Sequence, residues 1–366
     1  MKIATVLGTR PEIIRLSLIV AALDRHVDHV LIHTGQNFDE RLSDLFFREL
    51  CVRAPDRHLG VTAPTFGAQA AQIFERIEKI FVADRPDRLL ILGDTNSALA
   101  AVIAKRLGIP VFHMEAGNRC WDDRVPEEVN RRIVDHSSDV LMPNTERSRD
   151  NLLREGIPSR RIFVTGNPIG EIIHGRRDAI DSSPILADLG LAPDGYFLVT
   201  LHRAENTDVP ARVEVFLEAL AAVAAEYGKP VIVSTHPRLR SRLEGRPAES
   251  RSDLRFLSPF GFVDFVRLER HAFCVLTDSG TVQEECAILG IPSVTLRDVT
   301  ERPETLECGA NLLAGCDVGR IVRGVRVARE RAGQWIAPPE YRVPNVCDTV
   351  VRLVTGYHHA LPGGLS

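Results

Sequence analysis

Neither sign of charge dominates this chain. Its 366 residues carry 45 basic and 49 acidic side chains, a net charge of −4. That argues against a nucleic-acid binder, which needs a basic surface. Lysine is nearly absent, with 4 against 41 arginines; arginine suits forked contacts to phosphate and carboxylate. No apolar run reaches the roughly 18 residues that a membrane span requires. The opening MKIATVLGTRPE reads as a strand, not as the apolar core of a secretory signal. Cysteine is sparse and scattered, at 51, 120, 274, 286, 308, 316 and 347, odd in number and without a CxxC pair. That pattern disfavours zinc sites and bridges and favours free thiols in a reducing cytoplasm. Also missing are GxGxxG after the first strand, GxxxxGK(S/T) anywhere, and HExxH. The dinucleotide, Walker-type and helix-borne zinc readings therefore lose their main support, and no metal or cofactor is expected.

Hydrophobic residues make up 44% and charged residues 26%, as in ordinary globular proteins, and the length suits two domains. Short apolar runs alternate with helical patterns. KIATVLG, HVLIHTG, RLLILGD, VFHMEAG, VLMPNT and RIFVTG are the expected strands of the first half; YFLVTLH, PVIVSTHP, LRFLSPFG, FCVLTDSG and PSVTLRD are those of the second. This order predicts an α/β fold of two Rossmann-like domains with parallel sheets and a cleft between them. The Pro-, Gly- and Asp-rich stretch 167–195 marks the boundary, giving domains over 1–170 and 171–345. The tail 346–366 is expected to form a closing helix against the first domain.

In parallel sheets, ligands bind at the carboxyl ends of strands, so chemistry is sought there. Gly8-Thr9-Arg10-Pro11-Glu12 ends the first strand: glycine permits a tight turn, Pro11 suits a first helical position, and Arg10 is an anion candidate. Asp278-Ser279-Gly280-Thr281 opens a helix, where backbone N–H groups and the dipole favour phosphate. Glu285, two turns on, could accept from two neighbouring hydroxyls, as a ribose offers; an N-cap followed by solvent-facing acids gives the same pattern. Arg302 is a further cation, equally explained by a surface ion pair. Asp94 and Glu115 end consecutive strands, while Glu127 opens a helix with Arg131 one turn on. Carboxylates so grouped raise one another's proton affinity, as general acids and bases require. An N-cap accounts for Asp94 and a helix-end ion pair for Glu127 just as simply. His202 ends the first strand of the second half, His113 reads as packing, and His236 has no assigned role.

Taken together, these motifs resemble the non-hydrolysing UDP-N-acetylglucosamine 2-epimerases. The likeness runs through GTRPE (8–12), TGQ (34–36), GDT (93–95), EAG (115–117), PEEVNR (126–131), TGN (165–167), HRAEN (202–206), TDSG (277–280), QEE (283–285) and RDVTERPE (297–304). It implies two Rossmann-like domains in the glycosyltransferase-B arrangement, a homodimer, and C2 inversion of a UDP-sugar without NAD or metal. By the same resemblance, Asp94, Glu115 and Glu127 form the acid/base set and Arg131 organises them. Arg10, His202, Ser279, Gly280, Thr281 and Arg302 hold the diphosphate, and Glu285 the ribose. Arg15, implied by the resemblance to be a further UDP-sugar-binding residue, stands where the family usually has lysine, which keeps the charge and changes the donor geometry.

EAGNRCWDDRVPEE departs from the common form and looks more like relatives acting on modified sugars, so residues 118–124 are expected to approach the sugar. A hydrolysing epimerase and a UDP-sugar glycosyltransferase remain the alternatives. After Gln36, the residues Asn37, Phe38 and Asp39 replace the usual second glutamine of an activator pocket. The charge of Asp39 argues against obligatory activation by a second UDP-sugar.

Overall fold

Uninterrupted burial of short apolar runs sets the architecture. In the computed structural model, which describes residues 1–36, 40–243 and 251–357, such runs form the central strands of twelve: β1 (Lys2–Leu7), β2 (Asp28–His33), β3 (Arg57–His58), β4 (Arg88–Leu92), β5 (Val111–Met114), β6 (Val140–Met142), β7 (Phe197–Leu201), β8 (Val231–Thr235), β9 (Leu254–Leu257), β10 (Cys274–Thr277), β11 (Ser293–Thr295) and β12 (Asn311–Leu313). Residues 3–7 of β1 and 89–92 of β4 are buried without alternation, as expected where helices cover both faces of a sheet. Every recorded pairing is parallel. The expected α/β class with two parallel sheets is the observed one.

The sheets run β3-β2-β1-β4-β5-β6 and β12-β11-β10-β7-β8-β9. Renumbered from its own first strand and read from β9, the second has the same 3-2-1-4-5-6 order as the first. In each, chain direction across the sheet reverses between two central strands, β1 and β4 or β7 and β10. In open α/β sheets such a reversal is where ligands bind, at the carboxyl ends of the strands.

The chain divides into two compact units. One is Met1–Ile172 with the stretch from Val343, and the other is Ile173–Arg342. In the first, the helix Phe66–Asp84 buries Ile73, Ile77 and Phe81, spaced by four, against Ala4, Val6, Leu89 and Ile91. Three such side chains contribute about 1.5–3 kcal/mol each on leaving water. The helix Val346–Gly356 returns to this unit: the Cys347 N–H donates to Glu171 (3.0 Å), and the Arg88 guanidinium donates to the Val354 carbonyl. In the second unit, Phe216, Leu220 and Val223 of the helix Pro210–Tyr227 pack on Phe197, Val199 and Val233.

One expected strand is corrected. RIFVTG forms no strand and touches β6 through the single bridge Leu141–Ile162. It donates N–H groups to Leu141 and Pro143 (2.9 and 3.1 Å), but Pro143 has no N–H to return, so the ladder stays one-sided. The edge strands β3 and β12, only two and three residues long, were not expected. All seven cysteines are free. No helix among the described residues is long and apolar enough to cross a membrane.

Candidate active site

At the end of β1 the first unit packs polar side chains closely. A Cβ on Gly8 would lie 2.0 Å from Thr34 Oγ1 and 2.2 Å from Ser97 Oγ, so three strand ends converge only because residue 8 has no side chain. Thr34 and Ser97 share a hydrogen bond of 2.7 Å, and Gln36 accepts from the Ser97 N–H at 3.2 Å. The following helix, Arg10–His26, is started by Glu12. This side chain turns back to accept from the Gly8 and Thr9 N–H groups and the Thr9 hydroxyl at 2.8–3.0 Å. Burial pushes the Glu12 carboxyl up to about 7 against those donors. Arg10 is half-buried, its guanidinium 5.9 Å from the centre of the Phe46 ring.

Two acid–arginine pairs stand at the ends of the adjacent strands β4 and β5. Arg131, on the helix Pro126–Ser137, sends Nε to Asp94 Oδ2 and Nη1 to Glu128 Oε2, both at 2.7 Å. Asn130 donates to the Asp94 carbonyl at 2.9 Å. Arg15 pairs with Glu115, which also accepts from Asn118 at 3.1 Å. Glu115 has φ 62, a left-handed conformation that costs a residue with Cβ and marks stored strain at this turn. Beneath it, Asp135 accepts from the Gly117 N–H (3.2 Å) and from Arg119 (2.8 Å). His113 Nε2 meets the Gly93 carbonyl at 2.8 Å, and its Nδ1 lies 2.9 Å from Asp135. His113 is therefore a buried support for the turn. Glu127 is half-buried at the start of its helix, and the fully buried partner of Arg131 is its neighbour Glu128.

The second unit builds its site around Asp278, at the end of β10. This buried carboxylate accepts from the backbone N–H groups of His202 and Arg203 at 3.0 Å each and from Asn206 at 3.1 Å. His202 Nδ1 lies 2.9 Å from its other oxygen. Burial alone would raise this carboxyl, but His202, the Arg203 N–H and Asn206 outweigh it and hold Asp278 well below the ordinary carboxylate range. His236 lies 6.1 Å from the His202 ring.

Two readings of this rim need correction. The Ser279 N–H is not presented at the helix start, because it donates to the Thr277 hydroxyl at 2.9 Å. Arg302 is no surface cation: it is buried, with Nε on Glu284. It sits below Gly280, where a Cβ would lie 2.8 Å from Glu301 Oε1 and 3.7 Å from Arg302 Cζ. Gly280 begins the helix Gly280–Leu289, on which Thr281 is half-buried. Glu285 is buried beside Glu269; burial and then this neighbour push Glu269 well above the ordinary carboxyl range. The Asn37–Asp39 segment lies outside the described residues.

Sequence reasoning missed Glu12, Glu128, Asp278 and Asp135 as organising groups. Thr9-x-x-Glu12 carries a capping-box signal and Asp278 follows a buried apolar run, so both had a local signature. Asp135 had none, because its partners come from other elements; Glu128 shares its helix with Arg131, but the Cys120 and Trp121 N–H groups it also accepts from lie on a separate turn.

Comparison with known proteins finds relatives over most of the chain. The family model described as UDP-N-acetylglucosamine 2-epimerase matches residues 21–355. A UDP-N-acetylglucosamine 2-epimerase of Methanocaldococcus jannaschii is 40% identical over 347 residues, covering 92% of this chain and 95% of that protein. A UDP-2,3-diacetamido-2,3-dideoxy-D-glucuronate 2-epimerase of Pseudomonas aeruginosa is 36% identical, covering 90% and 92%. The crystal structure of the M. jannaschii UDP-GlcNAc 2-epimerase in complex with UDP-GlcNAc and UDP superposes with a TM-score of 0.92, at 38% identity over 97% of this chain and 99% of that one. With a family model matching most of its length and a relative 40% identical across it, this chain belongs to the UDP-N-acetylglucosamine 2-epimerase family.

Proposed function

We propose that this chain interconverts the C2 epimers of a UDP-N-acetylhexosamine by eliminating UDP and adding it back. A carboxylate takes the C2 proton while the C1–O bond breaks, and its electron pair leaves with UDP. A C1=C2 double bond forms, giving a bound 2-acetamidoglucal. UDP then re-adds at C1, and a proton reaches C2 from the opposite face. Such chemistry needs acid/base groups on both faces of C2 and stabilisation of the departing diphosphate. The observation that carries the reading is the pair of buried arginines, each bonded to a carboxylate at neighbouring strand ends: Arg131 with Asp94, and Arg15 with Glu115.

Asp94, Glu115 and Glu127 serve as the acid/base set in this reading, and Arg131 and Arg15 orient the first two. Arg10, His202 and the start of the helix at Gly280 and Thr281 stabilise the diphosphate, with Ser279 contributing through its hydroxyl. Glu285 takes the ribose. Arg302, buried on Glu284, acts by supporting the Gly280 turn.

UDP-GlcNAc and UDP-ManNAc are the first pair to test. The C3- and C6-modified relatives come next, since the P. aeruginosa relative is named for such a sugar. Each nucleotide sugar is incubated alone and followed by NMR. A C2 epimer appearing without an acceptor supports the proposal. Free sugar accumulating in step with UDP would replace it by the hydrolysing alternative, and a strict need for an acceptor would replace it by glycosyl transfer. The same reading gives a homodimer in the cytoplasm, for which light scattering is the check on assembly.

A further inference from the structure

One heavily bonded carboxylate in the first unit belongs to a residue outside the proposed acid/base set. Glu128 is fully buried. Its Oε2 accepts from the Cys120 N–H (3.0 Å) and from Arg131 (2.7 Å), and its Oε1 accepts from the Trp121 N–H (3.1 Å). Two successive backbone N–H groups, those of Cys120 and Trp121, thus converge on one carboxylate, an anion-binding arrangement of the nest type. Trp121 itself sits in left-handed backbone, with φ 58. A tryptophan gains nothing intrinsically from this conformation, and the bond from its N–H to Glu128 ties the turn that contains it to the helix Pro126–Ser137. Its side chain is 63% exposed, an unusual state for a large aromatic group in a turn so firmly tied down.

We propose that Glu128 is a positioning residue tying the Cys120–Trp121 turn to the Arg131–Asp94 pair, and that Trp121 is the platform it holds for the hexose ring. This rests on the epimerase reading. The apolar C–H face of a sugar packs on an indole, and an exposed indole carried on a tied-down backbone gives up only its rotamer freedom when it does so. One carboxylate thereby links where the sugar rests to where the Asp94 carboxylate points. Burial alone would raise Glu128, but the Cys120 N–H and Arg131 outweigh it and hold the carboxyl below its ordinary range, in agreement with a permanent anion in the nest.

The chain has two tryptophans, so Trp335→Phe leaves Trp121 as the sole reporter. Trp335 lies in the other unit, with its N–H on the Ala287 carbonyl. In this background, UDP alone is expected to leave the emission unchanged and the UDP-N-acetylhexosamine to alter it. Glu128→Gln keeps the shape but turns an amide NH2 toward the Arg131 guanidinium or the turn's N–H groups. Turnover should fall about a hundredfold, as misplaced catalytic groups do. UDP affinity should stay at the wild-type value, and the emission should no longer respond to sugar. Trp121→Ala should raise KM between about twofold and tenfold, proportionally more than it lowers kcat, with UDP inhibition unchanged. Wild-type turnover and a sugar-responsive emission in Glu128→Gln would overturn the proposal. So would a wild-type KM in Trp121→Ala, which decides the matter alone if Glu128→Gln does not fold. Failure of the epimerase reading looks different: the unaltered enzyme would show no C2 hydrogen exchange with any UDP-N-acetylhexosamine, while Trp121 emission still responded to the sugar.

Discussion

Replacing Arg131 by lysine keeps the charge and removes the fork. In the native chain this guanidinium, 3% exposed, reaches Asp94 Oδ2 through Nε and Glu128 Oε2 through Nη1, both at 2.7 Å. An ammonium on a flexible stem is a point charge and serves one of the two carboxylates. The other loses a charge-assisted hydrogen bond in a buried setting, about 1.5–3 kcal/mol. If Glu128 keeps the lysine, Asp94 loses its orientation; if Asp94 keeps it, the Cys120–Trp121 turn loosens. Either way turnover should drop by about two orders of magnitude. UDP binding should remain, because its proposed anchors at His202 and Gly280 are untouched. The assays are urea unfolding, initial rates of epimer formation, and calorimetric titration with UDP. A lysine variant with native turnover and a native urea midpoint would refute the claim that the fork aligns the acids.

Asp94→Asn, Glu115→Gln and Glu127→Gln should each lose turnover by roughly a hundredfold or more, the range of lost acid/base catalysis; native rates in all three would remove the carboxylate mechanism. Gly8→Ala should destabilise by about 1–3 kcal/mol, since the new methyl must displace the hydrogen-bonded Thr34 and Ser97 hydroxyls; an unchanged melting temperature would contradict the convergence of strand ends. Asp278→Asn tests linkage. The folded-state carboxyl is depressed, so its stabilisation is present above the ordinary value of 3.8 and is lost as pH falls through the folded value. The stability gap between wild type and variant, measured by urea titration, should be full at neutral pH and shrink below about pH 4; a gap independent of pH would contradict a buried anion.

Much of this was legible in the sequence because strand ends are chemically conspicuous. Asp94 and Glu115 each follow a buried apolar run, and an acid in that position must be paired or strained. Glu115 is both, bonded to Arg15 at positive φ. RIFVTG misled because composition does not reveal that the facing Pro143 lacks an N–H. The pattern of RDVTERPE could not tell whether Arg302 faces outward; the residue turns inward because Glu284, eighteen positions earlier, waits there. Glu127 and Glu128 are adjacent and chemically identical. Only the direction in which the first helical turn leaves Pro126 decides which is buried against Arg131. Asp135 holds the Gly117 turn and Arg119 from 18 and 16 residues away, a pairing that no local pattern encodes.

Elimination and re-addition of UDP must pass through loss of the C2 proton, so hydrogen exchange at that carbon is the most direct test. The enzyme is incubated in deuterated water with each member of an epimer pair, UDP-GlcNAc and UDP-ManNAc first and their C3- and C6-modified relatives next, and both epimers are examined by proton NMR. The expected result is deuterium at C2, absent or slowed about a hundredfold in Glu115→Gln. Epimers that form with the original C2 hydrogen retained, or no exchange with any of these sugars, would contradict it.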